Sequence, residues 1–252
     1  MILAGSQAVL FAQEKKDSVT EIPSRLSLLY LNTSNDTVVL TANLSISKDD
    51  GPFALENAWI GFTATAGDEI RDLGKIKTNG QGDAVLKISI RSGIPADKEG
   101  KTLYTAKFNG QGKYPAASEN TSAKPARINV TFAKEDSLRF IKVSATEGAA
   151  EGQSSPIRKE KVIVYIPRLF NLMKIGEIAL DEKGEGQINC PDDLVGDSLG
   201  NIVVVARIEE NDTYGNVQGQ SSITWGIPKQ YYLAERPSRE LRIIGSFGRR
   251  PA

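Results

Sequence analysis

Apolar and polar residues alternate along most of this chain, and the alternation limits its fold more than any other feature. A period of two places successive side chains on opposite faces of a β-strand, so that one face is buried and the other meets solvent. In residues 37–46 the apolar positions are Val38, Leu40, Ala42, Leu44 and Ile46. The same period recurs in residues 58–62, 84–90, 104–108, 128–132, 162–166, 202–208 and 223–227. Because Gly, Asn, Asp and Pro separate these short segments, the sequence predicts an all-β fold of antiparallel β-sandwiches.

The strand pattern occurs twice. Residues 73–88, LGKIKTNGQGDAVLKI, match residues 175–190, IGEIALDEKGEGQINC, in the order apolar, Gly, charged, Ile, polar turn, Gly-x-Gly and strand. We expect the turn to be two residues longer in the second copy. Residues 105–114 match residues 205–214 without a gap, at an offset of 100 positions. This internal similarity predicts two consecutive domains of about 100 residues each.

The duplication predicts where each domain begins and ends. The expected segments are a leader at residues 1–23, a first sandwich at 24–135, a second sandwich at 136–228 and a C-terminal tail at 229–252. The single cysteine, Cys190, has no partner for an internal disulfide. The stability of both domains must therefore come from packed apolar surface, and Cys190 is expected to be a small buried residue rather than a nucleophile.

The two ends of the chain bear on its location. An apolar run in residues 2–12 is followed at once by the charged residues 14–17, and this order is typical of the rear of a secretory signal peptide. The alternative is a first strand of the fold. The signal-peptide interpretation places the protein outside the cytoplasm, in the periplasm or on the cell surface. The tail at 229–252 is rich in Arg and aromatic residues, so it is either a peripheral membrane or partner contact or a frayed end.

The repeated NGQG motif raises the question of a phosphate site. It stands at residues 79–82 and again at 109–112. A phosphate-binding glycine loop needs a helix after it, because the backbone N–H groups at the helix start converge on the anion. Here the residues that follow Gly82 have the alternation of a strand. We therefore predict that Gly80 and Gly82 shape a hairpin turn centred on Asn79-Gly80 and bind no phosphate.

Charge and composition exclude several function classes. Thirty-one basic residues balance thirty-one acidic ones, so the chain has no net field to attract a nucleic acid. The absence of histidine removes the usual zinc ligand, the usual general base near neutral pH and the ordinary serine or cysteine triad. The sequence therefore predicts a non-enzymatic protein without catalytic, cofactor-binding or metal-binding residues.

Two weak motifs have both a functional and a structural interpretation. Ser45-Ile46-Ser47-Lys48 fits the S-x-x-K pattern, which serves catalysis at the start of a helix, whereas these residues end an alternating strand. Acidic groups offer oxygen ligands for calcium, with exposed turns as the simpler interpretation. These groups are Asp49-Asp50, Asp181-Glu182, Asp192-Asp193 and residues 209–212. None of them matches a defined calcium loop.

Six Asn-x-Ser/Thr sequons are a further feature. They begin at Asn32, Asn35, Asn43, Asn120, Asn129 and Asn211. On the exposed face of a strand polar residues recur at every second position, so this pattern arises from the pleat without any glycosylation.

The repeated motifs resemble a known family. Each copy has a G-x-I segment, a turn, a Gly-x-Gly hairpin and a later strand that ends near Tyr114 or Tyr214. These features are similar to bacterial immunoglobulin-like (invasin-like) domains of exported proteins, and the two tyrosines resemble the tyrosine corner of such folds. The resemblance implies a spacer or adhesive role. It extends to two-domain exported proteins in which one membrane helix follows a WGIP-like segment, here residues 225–228.

Two functions follow as hypotheses. The first is a non-enzymatic exported structural or interaction module with an unidentified protein partner in the cell envelope. The alternative is an accessory subunit of an envelope complex that binds carbohydrate or protein, with or without a membrane anchor in a further C-terminal helix. A carbohydrate site requires exposed aromatic side chains, and Trp59 and Trp225 both lie in strand patterns that predict core positions. This prediction favours the first function.

Overall fold

The computed structural model describes residues 21–33, 36–48, 51–148 and 154–229, which contain sixteen β-strands and no helix. The signal-peptide-like segment, apart from its last three residues, and the tail beyond Lys229 lie outside the described residues. The described residues include no helical segment that could span a lipid bilayer.

Strands β1 to β8 form the first sandwich. Their bounds are β1 Ser24–Thr33, β2 Thr37–Lys48, β3 Gly51–Ala54, β4 Trp59–Ala66, β5 Glu69–Lys77, β6 Asp83–Ser89, β7 Thr102–Phe108 and β8 Ala117–Ala123. In one sheet β2 pairs with β1, β3 and β6, and the other sheet has the order β5-β4-β7-β8. All of these pairs are antiparallel.

Strands β9 to β16 repeat this architecture. Their bounds are β9 Ala126–Glu135, β10 Leu138–Glu147, β11 Ser155–Pro156, β12 Lys161–Pro167, β13 Leu172–Ala179, β14 Glu185–Asn189, β15 Ile202–Asn211 and β16 Gly215–Ile223. Strand β10 pairs with β9, β11 and β14, and β13-β12-β15-β16 form the facing sheet. When the short β3 and β11 are left out, each copy has seven strands in two facing sheets. In the first copy β1, β2 and β6 face β5, β4, β7 and β8, and in the second copy β9, β10 and β14 face β13, β12, β15 and β16. This division of strands is that of immunoglobulin-like sandwiches. The predicted fold of two consecutive immunoglobulin-like sandwiches is confirmed.

A β-bulge recurs at the same place in both copies. The register between β4 and β5 shifts at Phe62/Thr63, opposite Gly74, and the register between β12 and β13 shifts at Val164/Tyr165, opposite Gly176. Bulges of this kind bend a strand and increase its twist. The repeated apolar-Gly-charged-Ile motif of the sequence is therefore the bulged part of β5 and β13.

Each sandwich has its own buried core. The first core contains apolar side chains from Leu26 to Ala123, and the second contains apolar side chains from Ala126 to Val217. The sequence analysis assigned residues 126–135 to the first sandwich, but the structure packs Ile128 and Val130 into the second core. Alternation shows which face of a strand is buried and not which sheet covers it, so β9 could not be assigned from its own sequence.

Four turns share one hydrogen-bond pattern. Their first residues are Asn79, Asp97, Asp181 and Asp197, and each ends three positions later in glycine. In the turn at 79–82, the Asn79 side-chain oxygen Oδ1 accepts hydrogen bonds from the backbone N–H of Gln81 and Asp83, both at 2.9 Å. The other three turns repeat these two bonds with an aspartate carboxylate. Such bonds are the reason that Asn and Asp favour turns.

The position of the first turn corrects a prediction. We predicted a hairpin at 79–82, but β5 pairs with β4 in one sheet and β6 pairs with β2 in the other. The turn therefore carries the chain from one sheet to the facing one. Gly82 adopts a φ of +81°, and a Cβ there would lie 2.5 Å from the Leu44 carbonyl oxygen, whereas Gly80 has no such constraint. The matching turn at 181–184 has the same length, so the expected two-residue extension is also wrong.

Candidate functional site

The most prominent outward-facing aromatic side chain in the first sandwich is Trp59. The sequence analysis predicted it in the core, but the structure leaves 56% of it exposed, so that prediction is wrong. The reason lies in the alternation itself. Ala58 and Ile60 on either side of it are fully buried, and neighbouring residues of a strand point to opposite faces. Trp225 does pack against the second core, with its ring edge-on to Phe132 at a centroid distance of 5.5 Å.

Three lysines surround Trp59 on the outer face of its sheet. Lys77 lies directly opposite Trp59 in the register, and Lys75 and Lys107 lie opposite Gly61 from the two neighbouring strands. Paired residues in a sheet project to the same side. Gly61 has no side chain to separate Lys75 from Lys107, so it forms the floor of a groove. A Cβ at Gly61 would meet only the Lys107 carbonyl oxygen and Lys75 Cγ, both at 3.9 Å.

The loop after β7 closes one end of this groove. Three residues with amide side chains, Asn57, Asn109 and Gln111, line a concave space of about 690 Å³, together with Trp59, Gly61, Lys75, Lys77, Phe108 and Gly110. We call this set and the neighbouring Lys107 the Trp59 groove. The loop itself is the second NGQG motif, in which Gln111 and Tyr114 exchange backbone hydrogen bonds of 2.9 and 3.0 Å. It joins β7 to β8, which are paired, so this motif does make the hairpin that we had assigned to the first.

The groove is electropositive. The Lys77 ammonium lies over the Trp59 ring, 5.1 Å from its centroid, in the geometry of a cation–π contact. Among the described residues that line the space none is acidic, and the three lysines form no ion pair with a described carboxylate. A ligand that fits this groove must therefore tolerate an aromatic face, amide groups and concentrated positive charge.

A second feature is the junction between the two sandwiches. The end of β1 pairs in parallel with the start of β16, over Leu31–Thr33 and Asn216–Gln218. This pairing joins one sheet of each sandwich into a single eight-stranded sheet. The chain passes between the two cores through Lys124-Pro125, without a long linker. The two sandwiches are therefore connected by sheet hydrogen bonding as well as by the covalent chain.

Side chains and backbone groups complete the junction. Buried Asn32 donates from Nδ2 to the Ala126 carbonyl oxygen over 2.7 Å. Asn216 donates from Nδ2 to the Tyr30 carbonyl oxygen over 3.1 Å, and the Lys124 N–H donates to the Thr213 carbonyl oxygen over 2.8 Å. Hydrogen bonds that are shielded from water cost a desolvation penalty when one partner is removed.

Packing and charge support the same contact. Asp36 of the first sandwich pairs with Arg127 of the second at 2.6 Å, and also with Arg91 at 2.7 Å. Gly215 lies against the ring of Tyr30 so closely that a Cβ there would come within 2.8 Å of Tyr30 Cδ1. Sequence reasoning missed Asn32, because its only signal was a sequon, and missed Gly215, because a turn glycine gives no indication of what packs against it.

Other residues singled out from the sequence occupy structural positions. Ser45 to Lys48 end strand β2, so no helix presents an S-x-x-K motif there. Cys190 is buried at the edge of the second core, and burial raises the pKa of its thiol. The Tyr214 hydroxyl donates to Glu147 Oε2 over 2.8 Å instead of to an upstream backbone carbonyl, so it does not form a tyrosine corner.

Of the acidic groups considered as calcium ligands, Asp181-Glu182 and Asp192-Asp193 lie in turns, and Glu209 to Asn211 end strand β15. The Asp181 carboxylate accepts backbone hydrogen bonds from Glu185 and Lys183, which lower its pKa. Asp192 lies 3.8 Å from Arg139. Asp49 and Asp50 lie outside the described residues. Across the described ranges, no three His, Cys, Asp or Glu side chains are placed to hold one metal ion.

Comparison with known proteins gives structural similarities only. No family model matches the chain, and no curated protein matches its sequence. A tetra-tandem repeat from the extending region of a large adhesion protein matches 81% of this chain and 49% of its own, with 14% identity and a TM-score of 0.29. This chain thus spans about half the length of that structure.

Two further similar structures have low scores as well. The D0–D1 domain of intimin matches 78% of this chain and 96% of its own, at 16% identity and a TM-score of 0.30. The FN1–FN3 domains of chicken CNTN1 match 81% of this chain and 67% of their own, at 12% identity and a TM-score of 0.29. The fold assignment therefore rests on the strand order and pairing of this chain itself.

Proposed function

We propose that this protein is a non-enzymatic structural and interaction module in which two immunoglobulin-like sandwiches act as one rigid unit outside the cytoplasm. The observation that supports this proposal most strongly is the junction, where β1 and β16 join two sheets into one. A flexible pair of domains needs only a linker, and inter-domain motion is the default for small polar contacts. A shared sheet with a buried hydrogen bond at Asn32 instead holds the two ends of the module in a fixed relation.

A rigid unit of this kind suits a spacer or a platform for binding. Loops and sheet faces of a β-sandwich carry contacts while the packed cores fix their positions. The expected location follows from the signal-peptide-like residues 2–12, and the expected partner is a protein of the cell envelope.

Export is tested by following the chain in a bacterial host. The full chain with a C-terminal epitope is expressed, cells are converted to spheroplasts, and each fraction is probed for the epitope. We expect a product shortened at its N-terminus in the extracytoplasmic fraction. A matched chain that lacks residues 2–12 should remain in the cytoplasm. The proposed location would be contradicted if the native chain kept its full length and stayed in the cytoplasm, as the deletion variant should.

A second candidate function is that of an accessory ligand-binding subunit. The core positions expected for both tryptophans from the sequence would argue against it. Trp59 is exposed within a concave, positively charged groove, which removes that objection. The two functions are compatible, because the groove lies on the outer face of a sheet and the junction lies at the end of the sandwich.

A further inference from the structure

We propose that the Trp59 groove is a binding site for an acidic saccharide. The proposal rests on the second candidate function, ligand binding, and names its ligand class. It requires three properties of the site: an accessible aromatic face, positive charge at fixed positions and neutral hydrogen-bonding groups. The described residues of the groove supply all three.

Trp59 provides the aromatic surface. More than half of this side chain is exposed, at the first residue of β4, a strand with neighbours on both sides. A pyranose ring presents a face of C–H bonds that packs on an indole, and the indole loses little conformational entropy because it rotates about few bonds. The groove is open enough to admit such a ring, with a volume of about 690 Å³.

Charge and polarity then favour an acidic saccharide over a neutral one. Lys75 and Lys107 stand opposite the glycine floor on the two neighbouring strands, and the Lys77 ammonium lies over one face of the indole, so the groove concentrates three positive charges. Uronate carboxylates or sugar sulfates neutralise that charge. The side-chain amides of Asn57, Asn109 and Gln111 both donate and accept hydrogen bonds, which is what sugar hydroxyl groups require.

The geometry disfavours an extended peptide as the ligand. Peptides that bind sheets commonly add a strand to a free edge, where backbone groups are unpaired. Strand β4, which carries Trp59 and Gly61, is paired on both sides, with β5 and with β7. The nearer free edge of this sheet belongs to β5, one strand away from the strand that carries Trp59 and Gly61, so a strand added there would not cover the indole or the glycine floor.

The second sandwich shows that the fold does not demand this set of residues. Strands β4 and β12 are equivalent, and Lys161 occupies the position of Trp59. Ile163 stands where Gly61 forms the floor, Glu177 stands in place of Lys75, and Ala179 stands in place of Lys77. Of the three lysine positions, only that of Lys107 also carries a cationic residue in the second sandwich, Arg207. The same scaffold thus folds without the tryptophan, the floor or the two lysines of β5, so these residues are not needed for folding.

The test is direct binding of the purified full chain to an array of acidic and neutral glycans, followed by titration calorimetry. We expect binding to uronate or sulfated glycans, with neutral oligosaccharides of the same linkage bound at least about tenfold more weakly. The affinity should fall as salt is raised, because exposed charges are screened. Trp59→Ala should reduce affinity by about tenfold or more, and Trp59→Phe should restore part of it.

Two further variants separate groove binding from general attraction. Gly61→Val fills the floor with an apolar side chain and should abolish binding; a Cβ at this position has only ordinary contacts, at 3.9 Å. Lys87→Met removes an exposed lysine from the facing sheet and should leave binding unchanged. Circular dichroism confirms that each variant is folded.

Three results would overturn the proposal. They are no binding to any acidic glycan, equal binding by Gly61→Val and native protein, and tighter binding of polyglutamate than of every acidic glycan, which would assign the groove to an acidic peptide. None of these results bears on export or on the junction. Binding that survives in a variant with a disrupted junction would show that the groove and the rigid unit are independent.

Discussion

The amide nitrogen Nδ2 of Asn32 in the first sandwich lies 2.7 Å from the carbonyl oxygen of Ala126, the first residue of the second sandwich's opening strand. Both groups are fully buried. Asn32 lies on the inward face of β1, the same face as the core residues Leu26 and Tyr30. It is also part of the segment of β1 that pairs with β16. This bond ties the point where the chain enters the second sandwich to the strand that runs alongside it.

Replacement of Asn32 by Ala should weaken the junction. The variant leaves the Ala126 carbonyl buried without this donor, and we expect a loss of about 1–3 kcal/mol in the free energy of unfolding. Chemical denaturation measures the loss. Asn120→Ala is the control, since Asn120 is an exposed strand residue and belongs to another of the sequons. Equal stability of Asn32→Ala and native protein would mean that the bond contributes nothing to the junction.

A comparison of alanine substitutions at Gly112 and Gly215 measures the contribution of the contact between Gly215 and Tyr30. Gly112 and Gly215 have similar φ angles, +58° and +62°, so alanine costs similar backbone strain at each. At Gly112 a Cβ meets nothing within 4 Å, whereas at Gly215 it comes within 2.8 Å of the Tyr30 ring. We expect Gly215→Ala to lose about 1–3 kcal/mol more than Gly112→Ala in thermal or chemical unfolding. Similar losses for both variants would show that the junction is loose at this point.

The turn at 79–82 gives a second matched pair. Gly82→Ala combines positive φ with a backbone clash at the Leu44 carbonyl, and it should destabilise the protein by about 2 kcal/mol or more. Gly80→Ala meets open space without positive φ and should change stability by less than about 1 kcal/mol. The denaturation midpoints of the two variants, each compared with that of the native protein, measure these losses of stability. A larger effect at Gly80 would restore the predicted turn centred on Asn79-Gly80.

Alkaline pH should destabilise the first core. Tyr30 and Tyr104 pack with ring centroids 5.3 Å apart, and burial raises the pKa of both, that of Tyr104 to about 12 from 10.0. Between these pH values the unfolded chain releases protons that the folded chain retains, so stability is complete below pH 10 and falls as pH rises towards 12. Stability curves of native protein and Tyr104→Phe test this. The variant should lose less stability over that range, and an identical decline in both would argue against a neutral, buried Tyr104.

Much of the fold was predictable because its signals are local. The alternation in residues 37–46 predicted the buried face of β2, and the offset of 100 between residues 105–114 and 205–214 predicted the duplication. Both signals depend on backbone geometry that neighbouring residues share.

What could not be predicted depends on contacts between distant segments. The turn at 79–82 carries the ordinary residues of a hairpin, and only the pairing of β5 and β6 with different strands shows that it crosses between sheets. Trp59 was misplaced because residue type was given more weight than the alternation of its neighbours. The groove itself forms from residues 57–61, from β5 and from the end of β7 with the loop after it, and no sequence pattern shows that these segments meet.

The most direct test of the rigid unit is the relative orientation of the two sandwiches in solution. Residual dipolar couplings of backbone amides, measured in an aligning medium on the full chain, give one alignment tensor for the residues of β1 to β8 and another for those of β9 to β16. We predict that the two tensors agree in magnitude and direction when both sets are fitted to this structure. Tensors that differ in magnitude would show that the sandwiches move independently, and the central proposal would then be wrong.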